Sequence, residues 1–154
     1  LGSLCGSGKP KVGYLRDELI ESLEAVFAKD DGGTVIVGAG RLGKALLDYK
    51  GFDDLGISVL AAFDANAKEG ETSESGKPIL PMEEFAGFCK AYDVRIGIIA
   101  VPASAAQSVC NLFYENGIRA MWCFAPCPLY KPADAVIQYE NLALSLAHLK
   151  MQIK

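Results

Sequence analysis

The sequence has little of what catalysis, secretion or nucleic-acid binding usually require. One histidine, His148, occurs in 154 residues. A dehydrogenase needs a group to manage the proton that accompanies hydride transfer, and no Tyr-x-x-x-Lys pair follows Gly43 to supply one. The five cysteines are scattered and contain no CxxC pair, which excludes a disulfide framework and suits a reducing cytosol. No apolar run approaches the roughly 20 residues that span a bilayer, and no signal-peptide pattern is present; a cytoplasmic location without membrane contact is expected. There is no basic excess, and a net charge of -4 argues against this segment presenting the main nucleic-acid surface. The sequence also lacks an initiator methionine. It opens at Leu1 with a stretch to Gly13 rich in glycine, serine and lysine, which reads as the tail of a preceding element, so a fragment is expected.

What is present is ordinary globular material, 51% apolar and 22% charged, at a length that suits one domain with a proper core. From Leu15 to Phe27 apolar residues recur at helical spacing, until Asp30-Asp31-Gly32-Gly33 breaks the pattern. Thr34–Val37 is a short, wholly apolar strand of the kind buried on both faces of a parallel sheet. A glycine turn, a helix through Ala45, Leu46 and Leu47 to Tyr49, a strand over Ile57–Phe63 ending at Asp64, and a polar exposed loop over Ala65–Gly76 follow. Lys77–Leu80 adds a short strand before a helix over Met82–Ala91. Arg95–Val101 is the most apolar strand, ended by Pro102; then come a helix over Ser104–Glu115 and strands over Ile118–Cys123 and Ala135–Tyr139. Strands alternating with helices at these lengths imply an α/β, doubly wound parallel sheet of the Rossmann type. The last segment, 141–153, carries Leu142, Leu146, Leu149 and Ile153 on one face while Leu144, Ala147 and Met151 spread onto others. Such a helix needs more cover than one sheet face provides, and a second subunit is the simplest source.

The turn Gly38-Ala39-Gly40-Arg41-Leu42-Gly43 joins the first of these strands to its helix. By itself G-x-G-x-x-G is a weak signal, but this context is the one its mechanism requires. The first glycine permits a sharp turn, the second lets the backbone approach a pyrophosphate, and the third allows close helix–strand packing. The N–H groups around Arg41 and Leu42 then face phosphate oxygens at a helix start. Asp64 ends the next strand 21 residues after Gly43, where a carboxylate hydrogen-bonds a ribose 2′-hydroxyl and repels a 2′-phosphate. With no arginine in Ala65-Asn66, NAD is favoured over NADP. Gly38–Lys44 also satisfies the start of a phosphate-binding P-loop, but Ala45 stands where that motif needs a hydroxyl for magnesium, so a nucleotide triphosphatase is rejected.

Together, GAGRLGKALLDYKGF, LAAFDAN, IGIIAVPASAAQ and CFAPCPL resemble the Rex family of redox-sensing transcriptional repressors, and the leading GKPKVGYLRDELIESL resembles that family's wing-to-linker junction. The resemblance covers nearly the whole chain. It implies a homodimeric DNA-binding repressor whose N-terminal winged-helix domain is absent here, and whose C-terminal domain reads NADH against NAD⁺; NADH rearranges the dimer and releases DNA. On this basis residues 1–14 are a wing or linker remnant, 15–140 the NAD(H)-binding domain, and 141–154 a dimerisation helix exchanged between subunits. The resemblance assigns the pyrophosphate to Gly38, Ala39, Gly40, Arg41, Leu42 and Gly43, and the adenosine ribose to Asp64. It has Val101, Pro102 and Ala103 close over the cofactor and puts Phe124, Ala125 and Pro126 near the nicotinamide. This sequence departs from the family's usual pattern at Cys123 (usually Asn), at Pro128 (usually Arg), and at Asn141, usually acidic and here preceded by Glu140. The loop after Asp64 lacks the family's common Asp-Pro.

No catalytic or metal-binding residue is assigned. His148 falls on the terminal helix and fits a polar interface position; Cys123 and Cys127 fit a thiol switch, an adventitious metal or, more usually, two inert core thiols. Lys9 and Lys11 fit solvated loop positions as well as DNA-backbone contacts. The alternative to a sensor is a small enzyme subunit, either an NAD-dependent reductase lacking its substrate domain or a CoA-binding subunit of a ligase.

Overall fold

The computed structural model describes residues 32–153. The helix expected over Leu15–Phe27, the leading segment with Lys9 and Lys11, and Cys5 lie outside the described residues.

Six strands form one parallel sheet: β1 (Gly33–Val37), β2 (Val59–Phe63), β3 (Ile79–Leu80), β4 (Val94–Ile99), β5 (Ala120–Cys123) and β6 (Val136–Tyr139). Their spatial order is β3-β2-β1-β4-β5-β6, every neighbour pair parallel. The chain therefore works outward from β1 in one direction, then returns to β1's other edge with β4 and continues the opposite way. That order is the doubly wound Rossmann arrangement, and its reversal point between β1 and β4 is where ligands bind in such sheets.

The inner strands form because their residues are apolar and often β-branched, with both faces covered, whereas the edge strand β6 has no buried residue. All five residues of β1 are buried, as are Ala61, Ala62 and Phe63 of β2 and Ile98 and Ile99 of β4. Among the described residues the α-helices are α1 (Arg41–Leu47), α2 (Phe85–Tyr92, preceded by a 3-10 turn over Met82–Glu84), α3 (Ala103–Glu115) and α4 (Leu142–Met151). Val35, Val37, Ala61 and Phe63 pack into one core with Phe85 and Cys89 of α2 and Ala106, Val109, Cys110 and Phe113 of α3. Phe63 meets Phe85 edge-on with centroids 5.0 Å apart, and Phe85 stacks on Phe113 at 5.7 Å. Each such ring contributes about 2–3 kcal/mol by leaving water.

Several boundaries differ from the sequence expectation. The helix after the glycine turn stops at Leu47 rather than Tyr49, and β2 begins at Val59 rather than Ile57. Between them, Lys50–Ser58 belongs to a separate compact unit. It forms a 3-10 turn over Lys50–Leu55, in which Ile57 N–H donates to the Phe52 carbonyl at 2.9 Å and Gly56 N–H to that of Asp53 at 3.0 Å. Ile57 is apolar, but its N–H is committed to this turn rather than to the ladder. The polar Ala65–Gly76 segment is largely exposed, as expected, yet its backbone is ordered by local bonds: Asn66 N–H to Asp64 Oδ1 at 2.8 Å, Lys68 N–H to Glu71 Oε1 at 3.0 Å, and Ser73 N–H to the Lys77 carbonyl at 2.8 Å.

Helix α4 starts at Leu142, where Asn141 Oδ1 accepts the Leu144 N–H at 2.9 Å and satisfies one orphan donor. None of its residues is buried in the single chain, and Leu142, Leu144, Leu146, Leu149 and Met151 all stand exposed. Among the described residues, no helix is long and apolar enough to cross a membrane.

Candidate functional site

The carboxyl ends of the strands share one rim, and the hydrogen-bond ladder runs one rung past each strand. Gly38 N–H reaches the Phe63 carbonyl at 2.8 Å, Ala100 N–H that of Val37 at 2.9 Å, Phe124 N–H that of Ile99 at 3.0 Å, and Asp64 N–H that of Leu80 at 3.0 Å. These rungs hold the loops that follow β1, β2, β4 and β5 in register. All the expected site segments, distant in sequence, therefore leave the sheet along the same edge.

The glycine turn divides its three glycines by what surrounds them. Gly38 has φ +111°, a conformation other residues avoid, and a Cβ there would lie 2.4 Å from the Ala100 carbonyl oxygen and 3.1 Å from Val101 Cγ1. A Cβ on Gly43 would lie 1.7 Å from the Gly38 carbonyl oxygen, so α1 can pack this closely on β1 only with hydrogen at that position. At Gly40 a Cβ would meet nothing within 4 Å. Two glycines are required by the protein's own packing, and the middle one faces open space. That is the pattern expected if the space beside Gly40 belongs to a bound group.

Asp64 is held against this turn. Its Oδ2 accepts the Ala39 N–H at 2.7 Å while Oδ1 accepts the Asn66 N–H. The carboxylate thus has a fixed orientation, and each oxygen keeps a lone pair for an outside donor. Arg41 is exposed at the first position of α1 and Leu42 is half-buried behind it. Helix α1 has two turns only, so its dipole is small and the turn's own N–H groups carry more of any anion binding.

On the other side of β1, Val101 is half-buried, and Pro102 and Ala103 are exposed where α3 begins. Phe124 is half-buried with its ring centroid 4.5 Å from that of Trp122, Ala125 is buried and Pro126 exposed. Cys127 Sγ lies 3.9 Å from the Ala103 carbonyl oxygen, which brings the β5–β6 loop to the start of α3. Every sequence-expected site residue thus lies on this rim, from Gly38–Gly43 and Asp64 across to Phe124–Pro126.

Of the two cysteines singled out, Cys123 is buried and Cys127 half-buried. Burial pushes the Cys123 thiol up, as it does Cys110, and pushes Cys89 up to about 11. These are poor nucleophiles at neutral pH. Among the described residues, no three His, Cys, Asp or Glu side chains are grouped to hold a metal. His148 is exposed on α4.

Sequence reasoning missed two connections. Asp48, at the end of α1, accepts hydrogen bonds from Ser73 Oγ at 2.6 Å and from Ser75 Oγ. These bonds tie the β2–β3 loop to α1, lower the Asp48 carboxyl below its ordinary range, and are joined by a Lys44–Glu71 ion pair at 3.8 Å. Gln107 of α3 pairs with the backbone of Tyr130. Neither has a local sequence signature beyond a polar residue on a helix.

Residues 29–127 match the CoA binding domain family. The chain is 38% identical to the redox-sensing transcriptional repressor Rex of Clostridium perfringens over 139 residues, covering 90% of this chain and 65% of that protein. It is 35% identical to Rex of Clostridium botulinum over 147 residues, covering 95% of this chain and 70% of that protein. Among solved structures it is similar to RSP, a Rex-family repressor, with a TM-score of 0.78 and 28% identity, covering 96% of this chain and 69% of RSP. RSP in complex with β-NAD⁺ and operator DNA aligns with a TM-score of 0.76 and 28% identity, over 88% of this chain and 63% of that one. RSP in complex with β-NADH aligns with a TM-score of 0.73 and 26% identity, over 90% and 67%. The chain thus spans about two thirds of the length of the curated relatives it matches.

Proposed function

This chain belongs to the Rex family, and from that premise we propose that it is the NAD(H)-sensing part of a cytoplasmic, redox-responsive transcriptional repressor rather than an enzyme. The observation that carries the reading is the Ala39 N–H···Asp64 bond of 2.7 Å. It sets a carboxylate suited to ribose hydroxyls beside a glycine turn with open space at Gly40, at the reversal point of the sheet. The residues present fit a dinucleotide. Gly38, Ala39, Gly40, Arg41, Leu42 and Gly43 hold the pyrophosphate, Asp64 the adenosine ribose, Val101, Pro102 and Ala103 the cover, and Phe124, Ala125 and Pro126 the nicotinamide end. The cofactor supplies the redox signal as the presence or absence of charge on its nicotinamide ring. The apolar Phe124–Pro126 segment disfavours the charged, oxidised ring, so NADH binds more tightly than NAD⁺.

In this reading α4 is the homodimer element. Its leucines are 54–67% exposed, so each gains about 1–2 kcal/mol on burial, and a partner subunit covers them. DNA is contacted by a winged-helix domain outside this chain, and NADH releases DNA by rearranging the dimer.

Calorimetric titration tests the sensor directly, with NADH, NAD⁺ and CoA compared on one preparation. Tighter binding of NADH than of NAD⁺, with CoA weaker than both, is expected. Equal NADH and NAD⁺ affinities refute the sensor, and preferential CoA binding returns the CoA-binding subunit as the better reading. Replacement of Leu146 by Glu is expected to give a monomer in sedimentation, and an unchanged mass refutes the α4 dimer.

A further inference from the structure

The β5–β6 loop, which begins at Phe124, is fastened at two points that the sensor reading does not use. On one side is Gln107, one turn into α3 from the Val101–Ala103 segment. Its Oε1 accepts the Tyr130 N–H at 2.9 Å and its Nε2 donates to the Tyr130 carbonyl, also at 2.9 Å. The second Nε2 hydrogen goes to Asn111 Oδ1 at 3.0 Å. A side-chain amide that pairs both groups of one residue acts as a substitute strand partner, with its two donors and its carbonyl all engaged. What it holds is backbone, since the Tyr130 side chain is 88% exposed. On the other side is Tyr139, the last residue of β6, whose Oη accepts the Leu129 N–H at 3.1 Å. Between Phe124 and these anchors stand Pro126 and Pro128, whose fixed φ leaves little slack. Phe124 itself is held by its N–H bond to the Ile99 carbonyl, and the course of the loop that leaves it is set from residues 129 and 130.

We propose that Gln107 and Tyr139 are positioning residues for the nicotinamide end of the site. Together they clamp the β5–β6 loop, so that discrimination between reduced and oxidised cofactor depends on two side chains that do not touch it. The proposal rests on the reading that Phe124–Pro126 faces the nicotinamide. It adds a physical link: Tyr139 lies three residues before α4, so the loop that meets the ring is bonded to the segment from which the exposed helix departs.

The test compares NADH, NAD⁺ and ADP-ribose, which shares every part of the cofactor except the nicotinamide. In Gln107→Glu a carboxylate oxygen replaces the donor facing the Tyr130 carbonyl, with no change in size. Tyr139→Phe removes one oxygen and is the second variant, should the first fold poorly. Loss of one or two such bonds is expected to weaken NADH about tenfold, lower the NADH to NAD⁺ preference, and leave ADP-ribose within about twofold. Emission from Trp122, the chain's single tryptophan and a direct neighbour of Phe124, reports the loop without any ligand and is expected to shift in both variants. Unchanged NADH affinity in both variants overturns the proposal, and so does an equal loss for ADP-ribose, which marks a general structural role. Wild-type protein that binds NADH no more tightly than ADP-ribose instead overturns the parent reading of Phe124–Pro126.

Discussion

Alanine at Gly40 and at Gly43 should separate cofactor binding from folding, although the two glycines stand three residues apart in one turn. At Gly43 the added Cβ would sit 1.7 Å from the Gly38 carbonyl oxygen and 2.8 Å from its carbon. The obstruction is backbone and cannot rotate away, so the turn must open by about 1.3 Å to restore even a 3.0 Å contact. Overpacking of this kind costs about 1–3 kcal/mol, and with a rigid obstacle the upper end applies. In a domain of this size that lowers Tm by about 5–10 °C. At Gly40 the backbone is extended (φ −75°, ψ −164°) and caps α1 without a side-chain bond. Alanine there loses about 0.5–1 kcal/mol as a cap and recovers about 0.4–1 kcal/mol through the unfolded chain, so Tm should stay within about 2 °C. Its methyl group, however, occupies the space assigned to the pyrophosphate. Displacing the ligand from one charge-assisted N–H bond costs about 1.5–3 kcal/mol, or ten- to a hundredfold in affinity. Circular-dichroism melts and NADH calorimetry on the same samples read both quantities. A Gly40→Ala protein that binds NADH like wild type refutes the site, and one that melts as low as Gly43→Ala refutes the division of roles.

Three further outcomes follow from the geometry. Asp64→Asn is expected to weaken NADH and to narrow its advantage over NADPH, because the carboxylate that repels a 2′-phosphate is gone; an unchanged ratio in competition titrations counts against the ribose assignment. Asp48 is held below the usual carboxylate range by Ser73 and then Ser75, so its contribution to stability is complete above the unfolded-chain value and is lost as pH falls through the depressed folded value. Melting curves from pH 6 to pH 2.5 should therefore fall less steeply below about pH 4 in Asp48→Asn than in wild type, and parallel curves would show that the serine bonds do not favour the charged form. Maleimide at neutral pH should label Cys127 well before Cys89, Cys110 or Cys123, whose thiols burial pushes up; peptide mapping that finds Cys89 labelled as fast as Cys127 would mean that the α2 core opens readily.

The parts of this protein that were legible in its sequence are those written in adjacent residues. Thr34–Val37 reads as a doubly buried strand because four consecutive β-branched side chains, three of them apolar, admit little else at that length, and each is buried. The glycine turn reads from spacing because a sharp turn, an open approach and a tight packing point fall at fixed intervals along any strand–turn–helix. Asp64 reads from its distance to that turn, which is the length of one helix and one strand. Element ends were less legible: Ile57 is apolar, yet its N–H goes to a local turn and β2 starts two residues later.

Only the tertiary structure decided which distant polar groups meet. Asp48 finds Ser73 from 25 residues away, and Gln107 finds Tyr130 from 23. A polar side chain on an exposed helix face looks the same in sequence whether it ends in water or on a neighbouring loop. The β3-β2-β1-β4-β5-β6 order likewise comes from which edge of β1 each returning strand covers, a choice made by packing across the sheet. That order turns four separate strand ends into one rim, along which the glycine turn, Asp64, Val101 and Phe124 leave the sheet.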